Sequence, residues 1–128
     1  MLKVYTDGAS KGNPGKASIG VSVLKDGQEL LTLSEAIGVQ TNNFAEYTAL
    51  IRALEVLSKQ YKGESIEVYA DSELMIKQLK GVYKVKNENI KPLYAQIQKL
   101  LPHFSSISFT HVRREFNSRA DELANLAL

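Results

Sequence analysis

The chain has 128 residues, 44% of them hydrophobic, and a formal net charge of only +2, which suits one domain over residues 1–128 and does not by itself mark a nucleic-acid binder. The absence of cysteine excludes disulfides, thiolate metal sites and cysteine nucleophiles, and fits a reducing cytoplasm. No apolar run reaches the length of a membrane span, so a soluble protein with no membrane partner is expected, and a monomer is assumed.

Residues 2–6 are a short β-prone run halted by Asp7-Gly8, and residues 18–24 are a second, halted at Lys25-Asp26-Gly27. The Asp26-Gly27 pair supplies the positive φ of a hairpin turn, so residues 28–37 return as a third strand and complete an antiparallel meander. Over residues 43–62 the period changes. Phe44, Tyr47, Leu50, Ile51, Leu54 and Leu57 recur at three- and four-residue steps, one apolar helical face behind an Asn N-cap, and Gly63 ends the helix. Residues 65–70 read as a strand and residues 72–79 as a helix capped by Ser72. After a polar, basic stretch at 81–89, Pro92 opens a helix carrying Leu93, Ile97, Leu100 and Leu101, and Pro102 stops it. Residues 106–112 alternate as a last strand, 113–118 form a charged loop, and 119–126 form an amphipathic helix. The order βββαβααβα describes an α/β fold, a five-stranded mixed sheet flanked by helices.

Four acids occupy four different settings in this order. Asp7 and Asp71 follow strands and precede turns, where open α/β sheets place functional groups. Glu46 lies one turn into the long helix, on its surface beside Asn42 and Asn43, and Asp121 lies in the first turn of the last helix. Singly, each is explained as a turn former or a helix-end charge. Gathered together they would repel by about 4 kcal/mol per close pair at an effective dielectric of about twenty, so a cluster requires bound cations or raised pKa values. Oxygen donors alone favour Mg²⁺ or Mn²⁺ over zinc. Two such ions suit metal-assisted hydrolysis of a phosphodiester.

The segments YTDGASKGNPG, TNNFAEYTAL, ADSELMIKQL and NSRADELAN, in this order, resemble the ribonuclease H type 1 family over nearly the whole chain. The resemblance implies an RNase H-like fold. It also implies an endonuclease that cuts the RNA strand of an RNA/DNA hybrid with two divalent metal ions, leaving 3′-hydroxyl and 5′-phosphate ends; double-stranded RNA is a second candidate substrate. By motif position, Asp7, Glu46, Asp71 and Asp121 are the implied metal ligands and catalytic residues. Gly8, Asn13, Thr41, Asn42 and Asn43 are the implied hybrid contacts, and short amide and hydroxyl groups suit 2′-OH recognition because they both donate and accept.

Two departures from the family pattern stand out. The loop RREFNSRA lacks the His that better-known bacterial members carry before the last Asp; Glu115 is the candidate for that place, a solvated loop residue being the alternative. The basic helical protrusion inserted after the Asp71-type helix is missing as well, so this is a handle-less form. Lys80, Lys84, Lys86 and Lys91 surround Tyr83 and offer either a smaller basic and aromatic groove for the DNA strand or a solvated loop. One of Arg113, Arg114 and Arg119 is expected to contact a phosphate, with Arg119 taken as the candidate and charge balance with Glu115 and Glu122 as the alternative. A competing reading is a module that binds hybrid or double-stranded RNA with weak or no cleavage, against which four gathered like charges argue. A nucleotide site in SKGNPG is weaker still, since a strand follows it where a phosphate-binding loop needs a helix.

Overall fold

Asp26 at φ 51° and Gly27 at φ 80° form the two-residue turn expected between the second and third strands, and it joins β2 (Gly15–Lys25) to β3 (Gln28–Gln40). The computed structural model describes residues 1–128. Its remaining elements are β1 (Leu2–Ser10), α1 (Asn42–Gln60), β4 (Ser65–Ala70), α2 (Glu73–Leu79), α3 (Lys91–Leu100), β5 (Ser106–His111) and α4 (Ser118–Leu126), in the order βββαβααβα. The sheet runs β3-β2-β1-β4-β5, antiparallel among the first three strands and parallel from β1 through β4 to β5.

Strand alternation decides what the sheet buries. Leu2 and Val4 of β1, Ile19, Val21 and Val23 of β2, and Ile66 and Val68 of β4 are all within 1% of full burial, as are Tyr47, Leu50, Leu54 and Leu57 of α1. These residues form one core, each large side chain contributing about 1.5–3 kcal/mol by leaving water. The other helix that matters for the site, α4, lies over Gly20. A Cβ at Gly20 would stand 2.1 Å from the Ala120 carbonyl oxygen and 2.4 Å from the Ala124 nitrogen. Ser18 and Ser34 donate their hydroxyls to the carbonyls of Ala124 and Leu123, which fastens the far end of the helix.

Three local expectations are corrected. The first strand does not halt at Asp7-Gly8: it continues to Ser10, with Asp7 opposite Gly20 and Gly8 opposite Ile19. Gly8 serves a packing need instead of a turn, since a Cβ there would lie 2.3 Å from the Ala45 carbonyl carbon and the Glu46 nitrogen. The third strand also outruns residue 37, because a bulge opposite Ala17 and Ser18, with Gly38 at φ 79°, carries it on to Gln40. The cap of α1 is Thr41, whose hydroxyl accepts the Phe44 N–H at 3.2 Å, so Asn42 and Asn43 fall inside the first turn. Between α2 and α3, residues 80–90 carry no helix, as a handle-less chain requires.

Candidate metal centre

The pairing register brings the first two acids together. The parallel β1–β4 ladder ends at Thr6 opposite Ala70, so Asp7 and Asp71 stand one step past its last pair, where β1 continues and β4 has stopped. Beyond that point β1 has lost β4 as a neighbour while keeping β2, and the Gly8 N–H turns to a side chain: it donates to Glu46 Oε1. The bare Gly8 lets α1 sit close enough for this bond. Glu46 is therefore only 7% exposed, against the expectation that it would lie on the helix surface, and Asp7 is only 6% exposed. Carboxylate oxygens of Asp7, Glu46 and Asp71 all lie within 4.8 Å of one another.

Asp121 comes to the same cleft from α4, on its solvent side. Its charge adds to the rise of the Asp7 carboxyl, and Arg114 Nη2 stands 3.5 Å from Asp121 Oδ1. The cleft has a volume of about 750 Å³, and Gly8, Asn42, Asn43 and Arg114 line it together with the four acids.

Electrostatics make this a site that is costly to leave bare. Burial, followed by the charge of Asp71, pushes the Asp7 carboxyl up to about 7. Burial and then the charge of Asp7 hold Glu46 well above the ordinary carboxylate range, although the Gly8 N–H opposes the rise. Asp71 is raised too, chiefly by burial, with Arg114 and Asn117 working the other way. Such a cluster lowers its energy by binding protons or cations. Its all-oxygen donor set matches hard divalent ions.

The remaining expected residues fall in three places. Asn13 Oδ1 accepts the Asn42 N–H at 3.1 Å, which ties its loop to the start of α1 and the Thr41 cap. Asn43 has a buried Oδ1 with no partner in the protein, in a residue that lines the cleft. Tyr83 lies apart, in a second cavity of about 480 Å³ shared with Gln78, Lys84 and Lys91, and Lys77 Nζ sits 5.1 Å from its ring centre. Glu115 is exposed, lies outside the cleft and pairs with Arg113 at 3.0 Å. Arg119 is not in the cleft either; Glu29 and Glu122 hold it on the other flank of α4.

Sequence reasoning passed over Asn117. It is 1% exposed, and its Nδ2 donates to the Thr6 carbonyl at 2.9 Å, at the step where β1 and β4 part. Its amide also opposes the rise of the Asp71 carboxyl. The position read as one polar residue in a charged loop; the sole local signal was an Asn just ahead of a helix start.

A family model described as reverse transcriptase-like matches residues 5–127. The ribonuclease HI of Halobacterium salinarum is 44% identical over 99% of this chain, which spans 64% of that protein. The chain spans 35% of several mycobacterial relatives. The ribonuclease H of Chlorobaculum parvum is 34% identical over 99% of this chain and 94% of its own length. Among solved structures, LC11-RNase H1 in complex with RNA/DNA hybrid is similar at a TM-score of 0.94 and 44% identity, over 99% of this chain and 96% of that one. Shared topology, with near-complete mutual coverage of the Chlorobaculum protein and LC11-RNase H1, leads to one conclusion: the chain belongs to the ribonuclease H family.

Proposed function

We propose that this chain is an endoribonuclease that hydrolyses the RNA strand of RNA/DNA hybrids, working as a cytoplasmic monomer with residues 1–128 as its single catalytic domain. The convergence of Asp7, Glu46 and Asp71 within 4.8 Å in an open cleft carries this reading. Family membership implies divalent metal use, and the carboxylates fit that group on chemical grounds: they are oxygen donors whose burial raises their affinity for any positive partner. Asp7, Glu46, Asp71 and Asp121 would hold two ions, Mg²⁺ or Mn²⁺. When bound, such ions polarise the phosphodiester and activate water for attack, giving 3′-hydroxyl and 5′-phosphate ends.

The protein's own groups position and read the substrate. The Gly8 N–H fixes one Glu46 oxygen, and Asn117 braces Thr6 next to Asp7. Asn42 and Asn43 line the cleft, with Asn13 and Thr41 holding the start of α1 beneath them. Amides there can both donate to and accept from a ribose 2′-OH, which a DNA strand lacks. Tyr83, Lys84 and Lys91 suit the DNA strand through stacking and phosphate charge, in place of a basic protrusion. The hybrid-bound form of LC11-RNase H1 supports the substrate assignment.

No helix of the chain is long and apolar enough to cross a membrane, and the lack of cysteine suits a reducing compartment. A pure binding module would gain nothing from burying carboxyls at the cost seen for Asp7. Incubation of a labelled RNA/DNA hybrid with Mg²⁺ or Mn²⁺ tests the proposal. RNA cleavage is expected, with its loss in Asp71→Asn. Intact RNA in the presence of folded protein and both metals would overturn it, and the same assay on double-stranded RNA measures substrate breadth.

A further inference from the structure

Arg119 makes the most complete side-chain network outside the cleft, and it does so two residues before Asp121. Its Nε lies 3.0 Å from Glu29 Oε2 and its Nη2 lies 3.1 Å from Glu29 Oε1, a two-pronged fork of the strong bidentate kind. Ser22 donates its hydroxyl to the same Glu29 Oε2 at 2.7 Å, and Arg119 Nη1 donates to Glu122 Oε1. All three guanidinium nitrogens are thus engaged. The network joins β2, β3 and α4.

Ala120, Leu123 and Ala124 bury one face of α4 and the Asn117 amide holds its start on Thr6, while the flank that carries Arg119 is held to the sheet by the Glu29 fork. The helix has nine residues, and it meets the sheet where Ala120 and Ala124 lie on the bare Gly20. Ser18 and Ser34 bind its backbone carbonyls, close to the helix axis, so they resist sliding but have a short lever arm against turning. At about 100° per residue, Arg119 and Asp121 project on opposite flanks of the Ala120 contact. Side chains end about 6 Å from a helix axis, so a turn of about 10° moves the Asp121 carboxylate by about 1 Å. Displacement on that scale lies well outside the tolerance of about 0.2 Å for a metal ligand.

We infer that Arg119 and Glu29 form a positioning pair that sets the rotation of α4 and hence the place of Asp121, and that Arg119 is not a phosphate contact. The inference rests on the proposal that Asp121 is a metal ligand. It explains why a strongly basic side chain so near the cleft is turned away from it.

The test compares the native protein with Arg119→Ala, Glu29→Gln and the double variant. Mn²⁺ binding without substrate is followed by titration calorimetry, and hybrid cleavage is followed against substrate and salt. Each single change should weaken Mn²⁺ binding by about tenfold and lower kcat by a similar factor, while KM and its salt slope stay unchanged. The double variant should be no worse than either single one, since the pair acts as a unit. Glu29→Gln is the decisive variant, because it keeps the fold's shape and an acid there cannot hold a phosphate. Mn²⁺ binding within about twofold of native in both single variants would overturn the inference. So would a raised KM with a salt slope reduced by about 1 in Arg119→Ala alone, the mark of a phosphate contact. If the native protein neither binds Mn²⁺ nor cleaves hybrid, the ribonuclease proposal itself fails, an outcome distinct from native-like variants of an active enzyme.

Discussion

Asp7→Asn removes a buried acid of the candidate metal centre with almost no change of shape. Asp7 is 6% exposed, and burial, then the charge of Asp71, lift its carboxyl from an ordinary 3.8 to about 7. Because the folded value lies above the unfolded one, the metal-free native protein keeps a proton that the unfolded chain has already released. Its contribution to stability is complete below about pH 4 and is lost as the pH rises through 7. The gap between 3.8 and about 7 corresponds to about 4 kcal/mol. Allowing half of that for sharing with Glu46 and for local relaxation, the Asn variant gains about 2 kcal/mol at pH 8, or about 8 °C in Tm for a chain of this length. At pH 5, partway between the unfolded and folded values, the gain should fall to about 40% of its size at pH 8, and it should vanish only below about pH 4. Scanning calorimetry in EDTA at both values reads this directly. Excess Mn²⁺ should then reverse the order by stabilising the native protein and not the variant. Equal melting of the two proteins at pH 8, or an equal gain at pH 5 and pH 8, would refute the reasoning.

Gly20→Ala places a Cβ 2.1 Å from the Ala120 carbonyl oxygen; urea unfolding should show a loss of about 1–3 kcal/mol, and displaced α4 should abolish cleavage in the fraction that folds. Asn117→Ala removes the bond to the buried Thr6 carbonyl and is expected to cost about 1–3 kcal/mol in the same measurement, with cleavage falling further than the folded fraction. Tyr83→Ala in an Asp71→Asn background, which should hold hybrid without cutting it, should weaken binding by about 1–3 kcal/mol in fluorescence anisotropy. Lys84→Ala in that background should reduce the salt slope by about 1.

Period and punctuation made the element order legible, because an alternating strand and a helix with one apolar face leave different marks in the sequence. Local composition misled where the reason for a residue was tertiary. Asp7-Gly8 has the look of a turn, yet Gly8 is bare because α1 passes over it, and no neighbour in sequence records that helix. The burial of Glu46 follows from the same close approach, so it was equally hidden. The run Thr41-Asn42-Asn43 offers three side chains able to cap, and only geometry selects Thr41. Arg119 beside an acid-bearing motif suggested substrate, whereas its partner Glu29 stands ninety positions away in the chain. The acids stood out by their settings, and the resemblance supplied their role as a set. Their meeting has a physical cause in the register that sets Thr6 against Ala70.

That register makes the centre a sensor of correct folding. Asp7 and Asp71 are neighbours only while β1 and β4 are paired in step, and a slip of one residue would shift one acid by about 3.3 Å and turn it to the other face of the sheet. Pairing them also closes a long loop, a contact that forms late when chain entropy sets the order of events. Secondary structure can therefore return before the cluster does. During refolding, the appearance of Mn²⁺ affinity would time the arrival of the native strand alignment, and a chain trapped out of step would be helical, compact and unable to hold the metal.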